Sequence, residues 1–400
     1  MKLIFFLIAL CLLSIRIYFS WFDKGWGNRG ESTSNMVIKA DHFYEEIKYR
    51  GKFQLTDDET GFKTISPGGY FKFIKNEISV RAESNLKGEI DYRISDGKDH
   101  LPTDEQGKKL IAVAVKEMIH QGFDADARME RVYKKGGIQA LMNEIDSMRI
   151  APIKVLYLNR LFAIDSLSPE DMALITKKIE SLGSDLDEAN LLNKISYAQM
   201  KNPLTANAYF EVVNSLNSDL DKGGALHHIL DQDSVSEENT NKILNSSRGI
   251  GSDLDKANLY SKMIDKGLIT GVRFDSLLNL VSHFGSDMDK SNLYNKMIDK
   301  GLIAGTRFDS LLNPISQMGS DMDKVNLYVK LKDEKNLSEI QWMRLTEKIA
   351  ELNSDMDKAN VLIAIAQKMP KTETCKMSYM KAAKTLGNDS DYGRAVRAVE

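Results

Sequence analysis

Ser252-Asp253-Leu254-Asp255-Lys256-Ala257-Asn258-Leu259-Tyr260 opens a unit that this chain repeats. The tetrad Ser-Asp-Leu/Met-Asp begins at Ser184, Ser218, Ser252, Ser286, Ser320 and Ser354, each 34 residues after the last. The units starting at Ser252 and Ser286 agree at about 25 of 34 positions. A degenerate copy fits at Ile150, where Asn159 and Arg160 align with Asn193 and Lys194. A last copy is read at Ser390-Asp391-Tyr392, displaced by two residues. A fixed period of this length marks a stacked repeat architecture.

Each unit parses into two helices. The six serines are structural caps, each accepting from an orphan amide of its helix's first turn. The second aspartate is expected to reach back and complete a capping box, and both aspartates complement the positive helix end. Leu254, Ala257, Tyr260 and Ile264, widened by Leu259 and Met263, are expected to form one apolar stripe. Gly267 supplies a left-handed stop. A second helix carries Phe274, Leu277, Leu278, Val281 and Phe284 and ends at Gly285. Pro314 lies inside the second helix of its unit, where a kink or early break is expected. Helices of about a dozen residues are marginal alone, so the stripes require neighbouring units to cover them.

Upstream the periodicity changes. Phe71–Lys75, Ile78–Ala82 and Glu89–Ile94 alternate as strands do, with turn residues between them at Pro67-Gly68-Gly69, Asn76-Glu77 and Asp96-Gly97. A small antiparallel meander of four to six strands is expected. Thr103, with Gln106 three residues later, is expected to cap a helix bearing Leu110, Val113, Ala114 and Met118. Two further helices flank Gly136-Gly137. The fold class is therefore mainly α: an α-solenoid of helical hairpins after a small antiparallel α+β domain.

The domain expectation is a signal peptide or membrane anchor over 1–22, a linker over 23–40, an α+β domain over 41–149 and the array over 150–400. The leader rests on Lys2 followed by the apolar run 3–15, the pattern that engages export machinery. Arg16 and the aromatics Tyr18, Phe19, Trp21, Phe22 and Trp26 suit a membrane boundary, so an uncleaved anchor within residues 3–22 is the alternative to a cleaved signal. The location expected is the periplasmic or extracellular face. The formal net charge of -3 offers no basic face for nucleic acid. Cys11 and Cys375 are the two cysteines, and Cys375, outside the leader, has no thiol to pair with.

Stacking in register would align equivalent residues in rows. Lys256, Lys290, Lys324 and Lys358 form one, Asn258, Asn292, Asn326 and Asn360 another, and Tyr260, Tyr294 and Tyr328 a third. These rows are either a repetitive surface for an extended chain, or solvated lysines, turn-bracing asparagines and core tyrosines. No metal or cofactor site is expected: the Asp-x-Asp pairs lack the glycine and distal glutamate of a calcium loop, and helix begins at once. His227 and His228 are adjacent, so they face different ways and make a poor chelate. No zinc helix, phosphate loop or nucleophile elbow is present in the sequence. The acidic turn Asp57–Glu59 is expected to be solvated.

Two stretches carry a resemblance. Lys52–Thr60 with Ser66-Pro67-Gly68-Gly69-Tyr70-Phe71, and the Ser-Asp-x-Asp-Lys-Ala repeats, resemble uncharacterised bacterial envelope proteins. They are similar to the extra-membrane region of some M56-class, antirepressor-type metallopeptidases. This chain lacks the zinc helix and the multi-span part, so the resemblance implies an accessory domain outside the membrane and not a peptidase. The expected function is a non-catalytic, exported scaffold whose array binds a protein or peptide partner. A sensory module with the β domain as ligand receiver is the alternative, and an unrecognised hydrolase the third reading.

Overall fold

The computed structural model describes residues 16–19, 32–40, 43–148, 150–164 and 167–400. The apolar run 3–15, Cys11 and most of the expected leader lie outside the described residues. The chain divides into two compact units, Met1–Tyr157 and Leu158–Glu400.

The first unit is built on a seven-stranded antiparallel sheet of order β1-β2-β3-β6-β7-β8-β9. Its strands are β1 Arg16–Phe19, β2 Ser32–Ala40, β3 Phe43–Gly51, β6 Tyr70–Lys75, β7 Ile78–Ser84, β8 Ile90–Asp96 and β9 Asp99–Leu101. A separate hairpin pairs β4 Phe53–Leu55 with β5 Phe62–Ile65. Residues 32–40 are not linker: they pair with β3 along their whole length, from Ser32 opposite Gly51 to Ala40 opposite Phe43. Val37, Ile38 and Thr33 suit a pleated backbone, and the polar residues between them masked that in the sequence.

Alternation puts Ile47, Tyr49, Phe71, Phe73, Val80, Ala82 and Ile94 on one face, buried together with Ile111, Ala114, Val115, Met118 and Ile119 of the helix Glu105–His120. Of the expected stripe, Ala114 and Met118 are buried and Leu110 packs partly against the core, but Val113 is exposed and Ile111 and Val115 point inward in its place. Asp104, not Thr103, caps that helix, its Oδ1 accepting from Gly107 N at 3.0 Å. The next helix, Ala125–Ser147, changes direction at Gly136 and Gly137, where Gly137 takes φ +62°. A positive φ is open to glycine at little cost, so the pair divides the helix as the sequence indicated.

The second unit is the helical array. The first helices Asp185–Leu192, Asp219–Asp231, Asp253–Asp265, Asp287–Asp299, Asp321–Leu331, Asp355–Ala366 and Asp389–Arg397 pack each on the next. The second helices run Pro203–Ser215, Glu237–Ser246, Val272–Ser282, Thr306–Ser316, Glu339–Ala350 and Glu373–Ala383. Every predicted serine caps its helix, accepting from the N–H three residues on at 3.2–3.4 Å. Gly267 closes its helix with φ +69°, while Leu268 N donates to Met263 O and Gly267 N to Ile264 O, both at 3.0 Å.

Two expectations about where helices start and stop in the array fail. The helix holding Pro314 is not cut short: it ends at Ser316, 34 residues after its counterpart ends at Ser282. Proline sits so near the end that few bonds remain to lose. The last tetrad is not displaced either. Asn388 stands in the cap position, its Oδ1 accepting from Asp391 N at 3.1 Å, so the copy reads Asn388-Asp389-Ser390-Asp391 in register. Asparagine caps as well as serine.

The tyrosine row belongs to the core. Tyr209, Tyr260, Tyr294, Tyr328 and Tyr379 are fully buried. Tyr209 Oη donates to Ala225 O at 2.9 Å, and Tyr260 Oη shares a bond with Ser247 Oγ at 2.8 Å. Tyr294 and Tyr328 keep buried hydroxyls with no protein partner. Tyr209→Phe is therefore expected to lose about 1 kcal/mol, whereas Tyr294→Phe and Tyr328→Phe are neutral or stabilising by up to about 1 kcal/mol. Urea-unfolding midpoints of the three variants check this ordering.

Candidate functional site

The tetrads do two jobs at once, and separating them exposes the candidate surface. The first aspartate of each tetrad reaches into the next unit. Asp253 Oδ2 accepts from Gly285 N at 2.7 Å and Ser286 N at 3.2 Å. Asp185 does the same to Asn217 and Ser218, Asp219 to Gly251 and Ser252, and Asp287 to Gly319 and Ser320. Asp321 takes Asn353 and Ser354, and Asp355 takes Gly387 and Asn388. The cap N–H that a capping box would satisfy from within the helix is thus already engaged by the preceding unit. This is why the second aspartate does not reach back as expected.

The carboxylates respond. The N–H of Gly251 holds Asp219 below the ordinary carboxylate range, against the opposing effect of burial. Burial would raise Asp287 and Asp321, but the two backbone donors and a lysine outweigh it and both are lowered.

The lysine row is drawn into the same joint. Lys256, Lys290 and Lys324 each donate to the first aspartate of their own tetrad at 3.3–3.4 Å. Lys222 reaches Gly249 O and Lys358 reaches Thr385 O, across to the loop before the next tetrad. Lys256 also lies over the Phe284 ring at 5.3 Å. These lysines are neither solvated nor offered outward. Further along the helices a second set of links joins neighbours: Lys262 to Asp231, Lys296 to Asp265 at 2.6 Å and Lys330 to Asp299 at 2.7 Å.

What remains outside is a different row. Leu186, Leu220, Leu254, Met288, Met322 and Met356, the third residue of each tetrad, are 58–77% exposed. The sequence had placed Leu254 in the buried stripe. At about 100° per residue it stands roughly 140° from the middle of the stripe formed by Ala257, Leu259, Tyr260, Met263 and Ile264, and a helical wheel would have shown it. Beside it, one turn on, are the exposed Asn258, Asn292 and Asn326. Among the described residues their side chains make no hydrogen bond within the chain. Asn360 accepts from Arg394 Nη2 at 2.8 Å. The face of the first helices therefore repeats one apolar side chain and one carboxamide per unit.

The first unit carries a separate cleft. The Asp57–Thr60 turn is not simply solvated: Glu59, at φ +57°, pairs with Arg128, and Arg128 also donates to Glu144 Oε1 at 2.6 Å. Burial would discharge Arg128, but its bonds to Glu144 and Glu59 outweigh that and raise its pKa. Next to this pair, Phe53, Leu55, Lys63, Phe123, Arg131 and Lys135 line a cleft of about 580 Å³, a size that suits a small ligand. Of the adjacent histidines, His228 Nε2 is 3.1 Å from Ile195 O, and burial lowers the pKa of His227. Among the described residues no group of three or more His, Cys, Asp or Glu is placed to hold a metal ion. Cys375 is buried and unpaired.

No protein-family model matches this chain. No curated protein matches it. A solved structure from the computational design of self-assembling cyclic protein homooligomers is similar over 71% of this chain and 93% of its own, at 13% identity and a TM-score of 0.12. At that score the likeness carries no argument.

The two aspartates of one tetrad are expected to behave differently. Asp253→Ala should cost about 1–3 kcal/mol, because two backbone donors lose a charged acceptor. Asp255→Ala should cost about 0.3–1 kcal/mol, its interaction with the helix end alone. Because Asp219, Asp287 and Asp321 titrate below their ordinary range when folded, their contribution is present above about pH 4 and fades as the pH falls further. Thermal unfolding of both variants and of the parent between pH 7 and pH 3 reads both effects.

Proposed function

We propose that this chain is a non-catalytic, exported binding or scaffold protein whose repeat array holds a protein or peptide segment in the cell envelope. The observation that carries this reading is the row Leu186, Leu220, Leu254, Met288, Met322 and Met356. Apolar side chains left in water at the same place in six consecutive units are not needed for packing, which the buried stripe supplies. The neighbouring carboxamides each offer a donor and an acceptor, the pair of functions that an extended backbone requires. The export component rests on Lys2 and the apolar run 3–15.

The test is a random-peptide display selection on the full chain. Enriched peptides are expected to bind the triple variant Leu254→Ser/Met288→Ser/Met322→Ser at least about tenfold more weakly, with its unfolding midpoint unchanged because all three positions are exposed. Failure to enrich any peptide, or equal binding to the variant, overturns the reading.

The cleft beside Glu59 favours a second reading, in which the β unit receives a small ligand. A compound library should then contain a member that raises the melting temperature of the full chain but not of the Lys63→Ala variant. A library without one retires this alternative.

A further inference from the structure

Beside the Leu/Met and Asn rows runs a third, made by the second aspartate of each tetrad. Asp187, Asp221, Asp255, Asp323 and Asp357, all half-buried, accept no hydrogen bond and form no ion pair within the chain among the described residues; Asp289, likewise unbonded, is buried. The tetrad lysines Lys256, Lys290 and Lys324 are committed to the first aspartate. Apart from the unit of the buried Asp289, each unit of this face therefore has an apolar side chain, a carboxamide and a half-exposed carboxylate with no partner in the chain, arranged in that order around the helix. At the C-terminal end the pattern stops, because Arg394 pairs with Asp391 at 3.0 Å and takes Asn360 as well.

Spacing sets the shape of what could lie there. Neighbouring packed helices sit about 8–10 Å apart. A polyproline-II strand advances about 3.1 Å per residue, so three residues span about 9.3 Å, one step of the array. A second copy of the same face is disfavoured, because an isologous contact would set one acidic row against another. Charge and spacing together select one occupant.

We propose that this face binds an extended, polyproline-II-like segment in which lysine or arginine recurs at every third position with an apolar residue beside it. The cation of each triplet meets the second aspartate of a unit, the apolar residue lies on the Leu/Met side chain, and the Asn carboxamide bonds the segment's backbone. This rests on the peptide-binding reading above and adds its chemistry.

The probes are three synthetic peptides titrated by fluorescence anisotropy against the full chain: six repeats of Lys-Pro-Leu, six of Glu-Pro-Leu, and a Lys-Pro-Pro-Leu series that breaks the three-residue step. The first is expected to bind, the other two at least about tenfold more weakly. Raising the salt from 50 to 300 mM should weaken the first several-fold. Asp221→Asn/Asp255→Asn/Asp323→Asn should weaken it about tenfold, with circular dichroism and unfolding midpoint confirming the fold. Equal or tighter binding of the acidic or the four-residue series, or indifference to the Asn substitutions, overturns this inference. If those peptides still lose affinity on the Leu254→Ser/Met288→Ser/Met322→Ser variant, the peptide-binding reading survives; if no peptide responds to that variant, the reading itself fails.

Discussion

One carboxylate per unit, bonded to two backbone N–H groups of the next unit, is the joint on which the array stands. A helix start leaves donors that something must satisfy. Here the serine satisfies one from within, and the preceding unit's aspartate takes the cap N–H and the one before it. From Ser218 onward each helix start is thereby completed by its neighbour. A unit cut from the stack loses both the cover over its apolar stripe and an acceptor for its first amides, so stability resides in the interfaces as much as in the units.

That joint also decides what the surface can offer. Drawing the first aspartate inward calls for a cation, and the tetrad lysine folds down to supply it, partly or wholly buried. The charge left half-exposed, except at the buried Asp289, is therefore the second aspartate, and the apolar side chain left outside is the residue between the two. The outward chemistry of the face is the remainder after the inward chemistry has been satisfied. The same logic holds in the first unit, where Glu59 serves Arg128 and Arg131 and fixes the hairpin turn onto the helix beside the cleft.

Local chemistry was readable from sequence, and long-range partnership was not. The serine caps, the Gly267 stop, the break at Gly136-Gly137 and the buried tyrosines all follow from residue type and period within one unit. The role of Asp253 did not, because its partners lie 32 and 33 residues downstream and a helix-end charge already explained its presence. Lys324 read as solvent-facing because lysine usually is, and the joint overrode that preference. Leu254 is as hydrophobic as its buried neighbours, and only its angle around the helix sets it apart. Asn388 keeps the 34-residue count, but as an asparagine it hides the last copy behind the more familiar serine at Ser390. At the candidate surface, the asparagine row was visible and the apolar and acidic rows beside it were not.

The sameness of the joints has an evolutionary corollary. Every interface uses one side-chain acceptor and main-chain donors, so a unit can be gained or lost without remaking any other. The Ser252 and Ser286 units, alike at about 25 of 34 positions, are what a duplication leaves behind. Each such event lengthens the outer face by one more contact site, and affinity for a long thread rises by increments as sites are added. Unequal crossing-over in the coding DNA could thus tune how firmly the protein grips, with no point mutation at all.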